Sequence, residues 1–316
     1  MSGQRTATTR VTRRRGTTAP ITDYSPITGH PSLPDAPYPV FNTTMKSAIT
    51  ISLVPEARGG PFVFWDDLQA GVEAAARHGF DAVELFLPGP DAVEPTALRD
   101  LLAKHGVKLA ALGTGGGWVK HKLRLTDPDP VVRRKSCDFI AAFIDLAAKF
   151  DAQAIIGSMQ GRSGEGGTTR EQALDWLAGG MRALGERASS YGKKVLYEPL
   201  NRFETNLFTR SGDAAAFLDQ RGLHHVALLC DLFHMNIEEV DIAATLRAVA
   251  PRVGHIHFAD SNRRAIGLGH TDIAPIAAAL KEIGYAGYLS AEIHPLPDAE
   301  TAARETMASF RRWTAA

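Results

Sequence analysis

The stretch Val195-Leu196-Tyr197-Glu198-Pro199-Leu200-Asn201-Arg202-Phe203-Glu204 runs from an apolar segment of strand length straight into an acid. Pro199 cannot donate to a sheet ladder, so it closes the strand and leaves Glu198 at its C-terminal lip. Glu204 returns a second carboxylate in the next loop. A carboxylate fixed at a strand end serves a metal ion or a proton transfer. An ordinary surface acid just past a strand has the same local pattern, so the rest of the chain must decide.

Three later stretches repeat the arrangement. Leu228-Leu229-Cys230-Asp231 ends an apolar run in Asp231. Val253-Gly254-His255-Ile256-His257 carries two imidazoles two residues apart, on one side of a strand. Ser290-Ala291-Glu292-Ile293-His294 brings Glu292. Taken singly, each has a bland reading; His255 in particular reads as a hydrogen-bonded core histidine. Together they place Glu, Asp, His and Glu at matching positions on four successive strands. Three carboxylates and an imidazole make an oxygen-rich set. It suits one divalent ion such as Mn²⁺, Mg²⁺ or Co²⁺ better than a structural zinc, which prefers thiolates.

Such residues need elements to hold them. From Met45 onward the pattern alternates. Strands are expected over 48–54, 81–87, 107–112, 152–157, 194–198, 226–231, 253–258 and 288–293. Helices are expected over 64–78, 96–105, 131–150, 169–191, 212–221, 241–250, 271–283 and 298–313. Eight β-then-α units over residues 45–316 are the size of a single (β/α)₈ barrel, whose functional residues gather at the C-terminal strand ends. An open doubly wound sheet is the alternative, but no Gly-rich dinucleotide fingerprint stands after the first strand.

The first 44 residues read differently. They hold five arginines by position 15, six prolines from position 20 onward and no hydrophobic period. A disordered extension is expected there, lacking the apolar core of a secretory signal. Met45, just before the first strand, is an alternative start of translation. The whole chain of 316 residues balances 35 basic against 35 acidic side chains, which argues against a nucleic-acid binder. No apolar run reaches membrane-spanning length. Cys137 and Cys230 lie in apolar runs without metal-type spacing, so buried free thiols in a reducing, cytoplasmic setting are expected.

The chain resembles the sugar isomerase/epimerase superfamily with xylose isomerase-like TIM barrels. Within it, it is most similar to the D-tagatose/D-allulose (psicose) 3-epimerase group. The resemblance rests on Glu198-Pro199-Leu200-Asn201-Arg202-Phe203-Glu204-Thr205, on Asp231-Leu232-Phe233-His234-Met235-Asn236-Ile237-Glu238-Glu239, and on Gly254-His255-Ile256-His257 running on to Asp260-Ser261-Asn262-Arg263-Arg264. Gly267, Gly269, Asp272 and Glu292 complete it. It covers residues 195–295 closely and the βα layout throughout. The resemblance implies that Glu198, Asp231, His257 and Glu292 ligate one divalent metal, with Glu198 and Glu292 doubling as an acid/base pair. It implies that Glu204, His234 and Arg263 bind a ketose near C1 to C3. It further implies C3 epimerisation through an enediolate, with no redox cofactor, in a homodimer or homotetramer.

The N-terminal half departs from that pattern. The aromatic segment expected after strand four is replaced by Gly157-Ser158-Met159-Gln160-Gly161-Arg162. Trp118 is a loop anchor or a sugar platform. Arg162, Lys120 and Lys122 are basic groups that would meet a phosphate or carboxylate, or simply face water. Hydroxypyruvate isomerases, inosose dehydratases and isomerases, sugar-phosphate epimerases and enzymes of 3-oxo-glycosides share the same metal logic and stay open as alternatives. An apurinic-endonuclease-type phosphodiesterase needs further ligands from early strands, yet strands three and four end in Gly113-Thr114 and Gly157-Ser158. A non-catalytic sugar-binding barrel is the remaining alternative, against which the complete acid/base set speaks.

Overall fold

The computed structural model of the chain describes residues 44–315. The extension expected over 1–44 lies, but for Thr44, outside the described residues. Eight strands form the barrel in chain order: β1 Lys46–Ser52, β2 Ala82–Phe86, β3 Lys108–Gly113, β4 Gln153–Ile156, β5 Val195–Tyr197, β6 Val226–Asp231, β7 Val253–His257 and β8 Tyr288–Ala291. Each pairs in parallel with the next, and β8 pairs with β1 from Lys46↔Tyr288 to Ile49↔Ala291. That last pairing closes the barrel. A two-residue strand, Phe64–Trp65, registers on Ile51 and Ser52, beyond the stretch of β1 that β8 covers.

The helices are α1 Leu68–His78, α2 Pro95–His105, the short α3 Gly116–Val119, α4 Pro130–Ala148, α5 Arg170–Ser189, α6 Ser211–Gln220, α7 Leu232–Glu238, α8 Ile242–Ala248, α9 Ile273–Glu282 and α10 Ala299–Thr314. Their starts have chemical causes. Asp67, Asp129, Asp272 and Asp298 cap orphan N–H groups with their carboxylates, and Thr169 with Gln172 forms a capping box. The helix expected from residue 64 begins only at Leu68, because Phe64–Trp65 is committed to the sheet and Asp67 caps α1. Among the described residues no helix is long and apolar enough to cross a membrane.

Alternation along the strands sorts side chains between two layers. Val226, Leu228 and Cys230 of β6 face the helices and join the large outer core. Ala227 and Leu229 face inward, where they pack with Ala111, Ile155 and Leu196. Fully burying a Leu or Ile contributes about 1.5–3 kcal/mol, so these layers carry most of the stability. Gly254 belongs to the inner layer: a Cβ there would stand 2.8 Å from the Ala227 Cβ and 2.9 Å from a Leu196 methyl. The same parity carries Asp231, two residues past Leu229, to the barrel axis.

Cys230 is buried and free as expected, but Cys137 is only half-buried on α4.

Candidate active site

The C-terminal mouth of the barrel opens into a cavity of about 560 Å³. The strand-end acids reach it in slightly different ways. Strands β5 and β8 stop at Tyr197 and Ala291, short of the expected ends at 198 and 293, so Glu198 and Glu292 stand just past the ladder. Glu198 is nonetheless held. Its N–H donates to the Ile156 carbonyl at 3.0 Å, and the amide of buried Gln160 donates to its carbonyl at 3.0 Å. Tyr197 in turn donates to the Gln160 amide oxygen at 2.8 Å. Gly157 at the end of β4 leaves room for the acid, since a Cβ there would lie 2.6 Å from Glu198 Oε2. Asp231 ends β6 and also caps α7, accepting from the N–H groups of Phe233 at 2.8 Å and His234 at 3.4 Å. That helix was not expected from the sequence; the cap creates it.

Glu198, Asp231, His257 and Glu292 converge, with ligand-type atoms all within 4.8 Å of one another. His257 Nδ1 lies 3.1 Å from Asp231 Oδ2 and 3.4 Å from both Glu198 Oε1 and Glu292 Oε2. Arg263 pairs with Asp231 and Glu292. Glu198 Oε1 is buried and has only long approaches, from His257 Nδ1 at 3.4 Å and His234 Nε2 at 3.7 Å, with no well-made hydrogen bond. A buried carboxylate oxygen without a well-made hydrogen bond is costly, and a cation held at this convergence would offset that cost. The donor set of three carboxylates and an imidazole fits such an ion.

The titration of the cluster is governed by its crowding. Burial pushes the Glu198 carboxyl up, and nearby Glu292 adds to this against the pull of His257 and His234. Burial also opposes ionisation of Asp231, but Arg263, His234 and His257 outweigh it and hold that carboxyl far below its ordinary range. Burial would lower His257; Glu292 and Glu84, with the hydrogen bond to Asp231 and the close approach of Glu198, raise it well above the usual histidine value instead.

The residues expected to bind substrate surround this point. His234 Nε2 lies 3.7 Å from Glu198 Oε1. The amide of Asn201 donates to His234 Nδ1 at 2.8 Å and to Glu204 Oε1 at 2.8 Å. An amide nitrogen has no lone pair to offer, so His234 Nδ1 is the acceptor and its N–H is on Nε2, facing the cavity. Arg263 occupies a left-handed backbone conformation at φ 58°. It is fastened by its N–H to the Asp260 carbonyl and by its carbonyl to the N–H of His294, both at 2.8 Å. Trp118 lines the cavity wall with Phe62, Phe86 and Phe233. Arg162 borders an adjoining recess of about 210 Å³ with Arg124 and Glu165, whereas Lys120 lies in a separate groove and Lys122 turns its amine to the Val119 carbonyl at 3.0 Å.

Two residues escaped the sequence reading. Asn201 stands inside the Glu198–Thr205 motif but had no role there. Glu84 on β2 is 4% exposed and hydrogen-bonds His255 Nε2 at 2.9 Å and His257 Nε2 at 3.1 Å. Its signal was an acid inside the apolar run Ala82-Val83-Glu84-Leu85-Phe86, on the inward parity with Ala82. Strands three and four contribute Gly113, Thr114, Gly157 and Ser158 to the cavity wall, with no acid or imidazole, as their sequences required.

A closed parallel (β/α)₈ barrel with carboxylates and imidazoles gathered at its C-terminal mouth defines the class of protein. The chain belongs to the xylose isomerase-like TIM barrel family, whose model matches residues 72–313. An L-ribulose 3-epimerase from Methylomonas sp. (strain DH-1) is 30% identical over 224 residues, 70% of this chain and 76% of that one. A D-psicose 3-epimerase from Agrobacterium fabrum is 29% identical over 222 residues, 68% of this chain and 75% of the relative. A crystal structure of D-psicose 3-epimerase in the presence of D-fructose shares the fold at a TM-score of 0.71 and 21% identity, over 86% of this chain and 100% of that one.

Proposed function

We propose that this protein is a divalent-metal-dependent sugar epimerase that inverts C3 of a ketose. The observation that carries the reading is the convergence of Glu198 and Glu292 on one point of the cavity floor, each 3.4 Å from His257 Nδ1 and within reach of one ion. The 3-epimerase names of the relatives support the reaction class. Glu198, Asp231, His257 and Glu292 would hold Mn²⁺, Mg²⁺ or Co²⁺. Such an ion would supply Lewis-acid stabilisation for the negative charge that develops on the substrate's O2.

The residues do the rest. A proton on the carbon beside a ketone is weakly acidic, so its removal needs a base held in place. One of Glu198 and Glu292, ionised, takes the C3 proton. The C3–H electron pair forms the C2–C3 double bond, and the carbonyl pair moves onto O2. The other glutamic acid, protonated, gives its proton to the opposite face of C3 as the electrons return. One acid ends protonated and the other ionised, so the pair is set for the reverse reaction or resets through solvent. Arg263 and His234 Nε2–H point donors at the oxygens, and Glu204 offers an acceptor at the cavity edge.

The test is a metal-supplemented screen of free and phosphorylated ketoses in D₂O. Epimerisation with deuterium incorporated at C3 is expected. Glu198→Gln and Glu292→Gln keep one ligating oxygen and remove the base. Each is expected to lower turnover by roughly 10²–10⁴-fold while metal stays bound. A metal-loaded Gln variant that still epimerises near the wild-type rate rules out the two-acid mechanism.

A further inference from the structure

Glu84 is a carboxylate inside a barrel, across the interior from both histidines of β7 and outside the four residues proposed to hold the metal. As a stabiliser it is a poor choice, because buried ion pairs gain little over apolar residues of similar volume. Its geometry suggests another duty. Each of its oxygens takes one imidazole: Oε1 faces His257 Nε2 at 3.1 Å and Oε2 faces His255 Nε2 at 2.9 Å. The two rings stand 5.7 Å apart at 83°, so one carboxylate bridges two planes and cannot turn toward either without losing the other.

The consequence falls on His257. Its Nδ1 looks at three carboxylate oxygens, from Asp231, Glu198 and Glu292, at 3.1–3.4 Å. Left to those neighbours, a neutral ring would carry its proton on Nδ1 and donate it to Asp231. A protonated Nδ1 has no lone pair for a cation. Glu84 competes from the other side of the ring and draws the proton to Nε2. We propose that Glu84, braced by His255, is a positioning residue that sets the His257 tautomer and so tunes the affinity of the site for its divalent ion. This rests on the metal-dependent reading above. The wider rule is that outer carboxylates behind a ligating histidine orient it, and that their loss costs roughly 10–100-fold in metal affinity.

The experiment is a Mn²⁺ titration of the full chain, stripped by chelator and read by the electron paramagnetic resonance of free Mn²⁺, for wild type, Glu84→Gln and His255→Gln. One ion per wild-type chain is expected, with Kd raised about 10–100-fold in Glu84→Gln and less in His255→Gln. Glu84→Gln removes one partner of a buried pair, so the stripped variant is expected to melt below stripped wild type whatever the role of Glu84; the readout that separates positioning from packing is the proton on His257 in ¹⁵N histidine spectra with Mg²⁺. Equal affinity of wild type and Glu84→Gln overturns the proposal. So does a second ion per wild-type chain that Glu84→Gln loses, since Glu84 would then be a ligand itself. If wild type binds no Mn²⁺, Mg²⁺ or Co²⁺, the metal site falls first and takes the proposal with it; the wild-type arm alone reveals that case. Should Glu84→Gln fail to fold, ¹⁵N spectra of histidine-labelled wild type with Mg²⁺ decide. A proton on His257 Nε2 supports the proposal, and one on Nδ1 overturns it.

Discussion

Arg263 sets its buried guanidinium against both Asp231 and Glu292, so it neutralises the cluster as well as facing the cavity. Burial would lower its pKa, but Asp231, Glu292 and Glu198 raise it further, so the charge is permanent. Removing it leaves carboxylates buried and unpaired, a change that costs roughly 3–5 kcal/mol. A bound divalent ion would take over part of that compensation. Arg263→Ala is therefore expected to lose about 3 kcal/mol in urea unfolding with chelator present and clearly less with saturating Mn²⁺. Equal deficits under the two conditions would mean that Arg263 contributes packing alone.

The loop after β7 is built on Asp260. Its carboxylate accepts the N–H groups of Ser261 and Gly267 at 2.7 Å and of Gly269 and Thr271 at 3.0 Å. Those bonds fold the segment back and hold Arg263 in its left-handed conformation at the cavity. Burial would raise the Asp260 pKa, but the bonds from Thr271, Ser261 and Gly267 lower it below the ordinary value. A carboxylate with a depressed folded pKa stabilises above its unfolded pKa of about 3.9, and that stability is lost as pH falls through the lower folded value. Asp260→Asn is thus expected to cost about 1.5–3 kcal/mol at neutral pH, with the deficit shrinking below about pH 4. Chemical denaturation across pH checks it; a deficit that stays constant down to about pH 2.5, well below the ordinary carboxylate value, would contradict a role for the ionised group.

At the scale of the whole molecule, the barrel closes through β1 and β8, and β1 begins at Lys46 with Met45 already buried. A chain beginning at Met45 is expected to keep the melting temperature and the turnover of the full chain. Calorimetry and the epimerase assay on both chains check this, and a marked loss in either would assign residues 1–44 a part in the folded enzyme.

Much of this was legible in the chain itself. Eight alternations of strand and helix period give a parallel α/β fold, because parallel strands need crossovers, and their number and span match one closed barrel. The parity of Leu229 and Asp231, or of His255 and His257, dictates which side chains face its axis. Proline after Glu198 dictates where a strand stops. Local chemistry of this kind is written in neighbouring residues. What only the tertiary structure decided is how distant residues meet. No spacing in the sequence says that Glu84 lies behind His257, 173 positions later, that Asn201 orients His234, or that Glu198 Oε1 is left without a well-made hydrogen bond. Those facts depend on strand stagger, on bulges between β2 and β3 and between β6 and β7, and on how closure rotates each strand's inward face. Which of the two histidines of β7 turns a ring nitrogen to the acids was decided in the same way, by how the packed interior seats each ring.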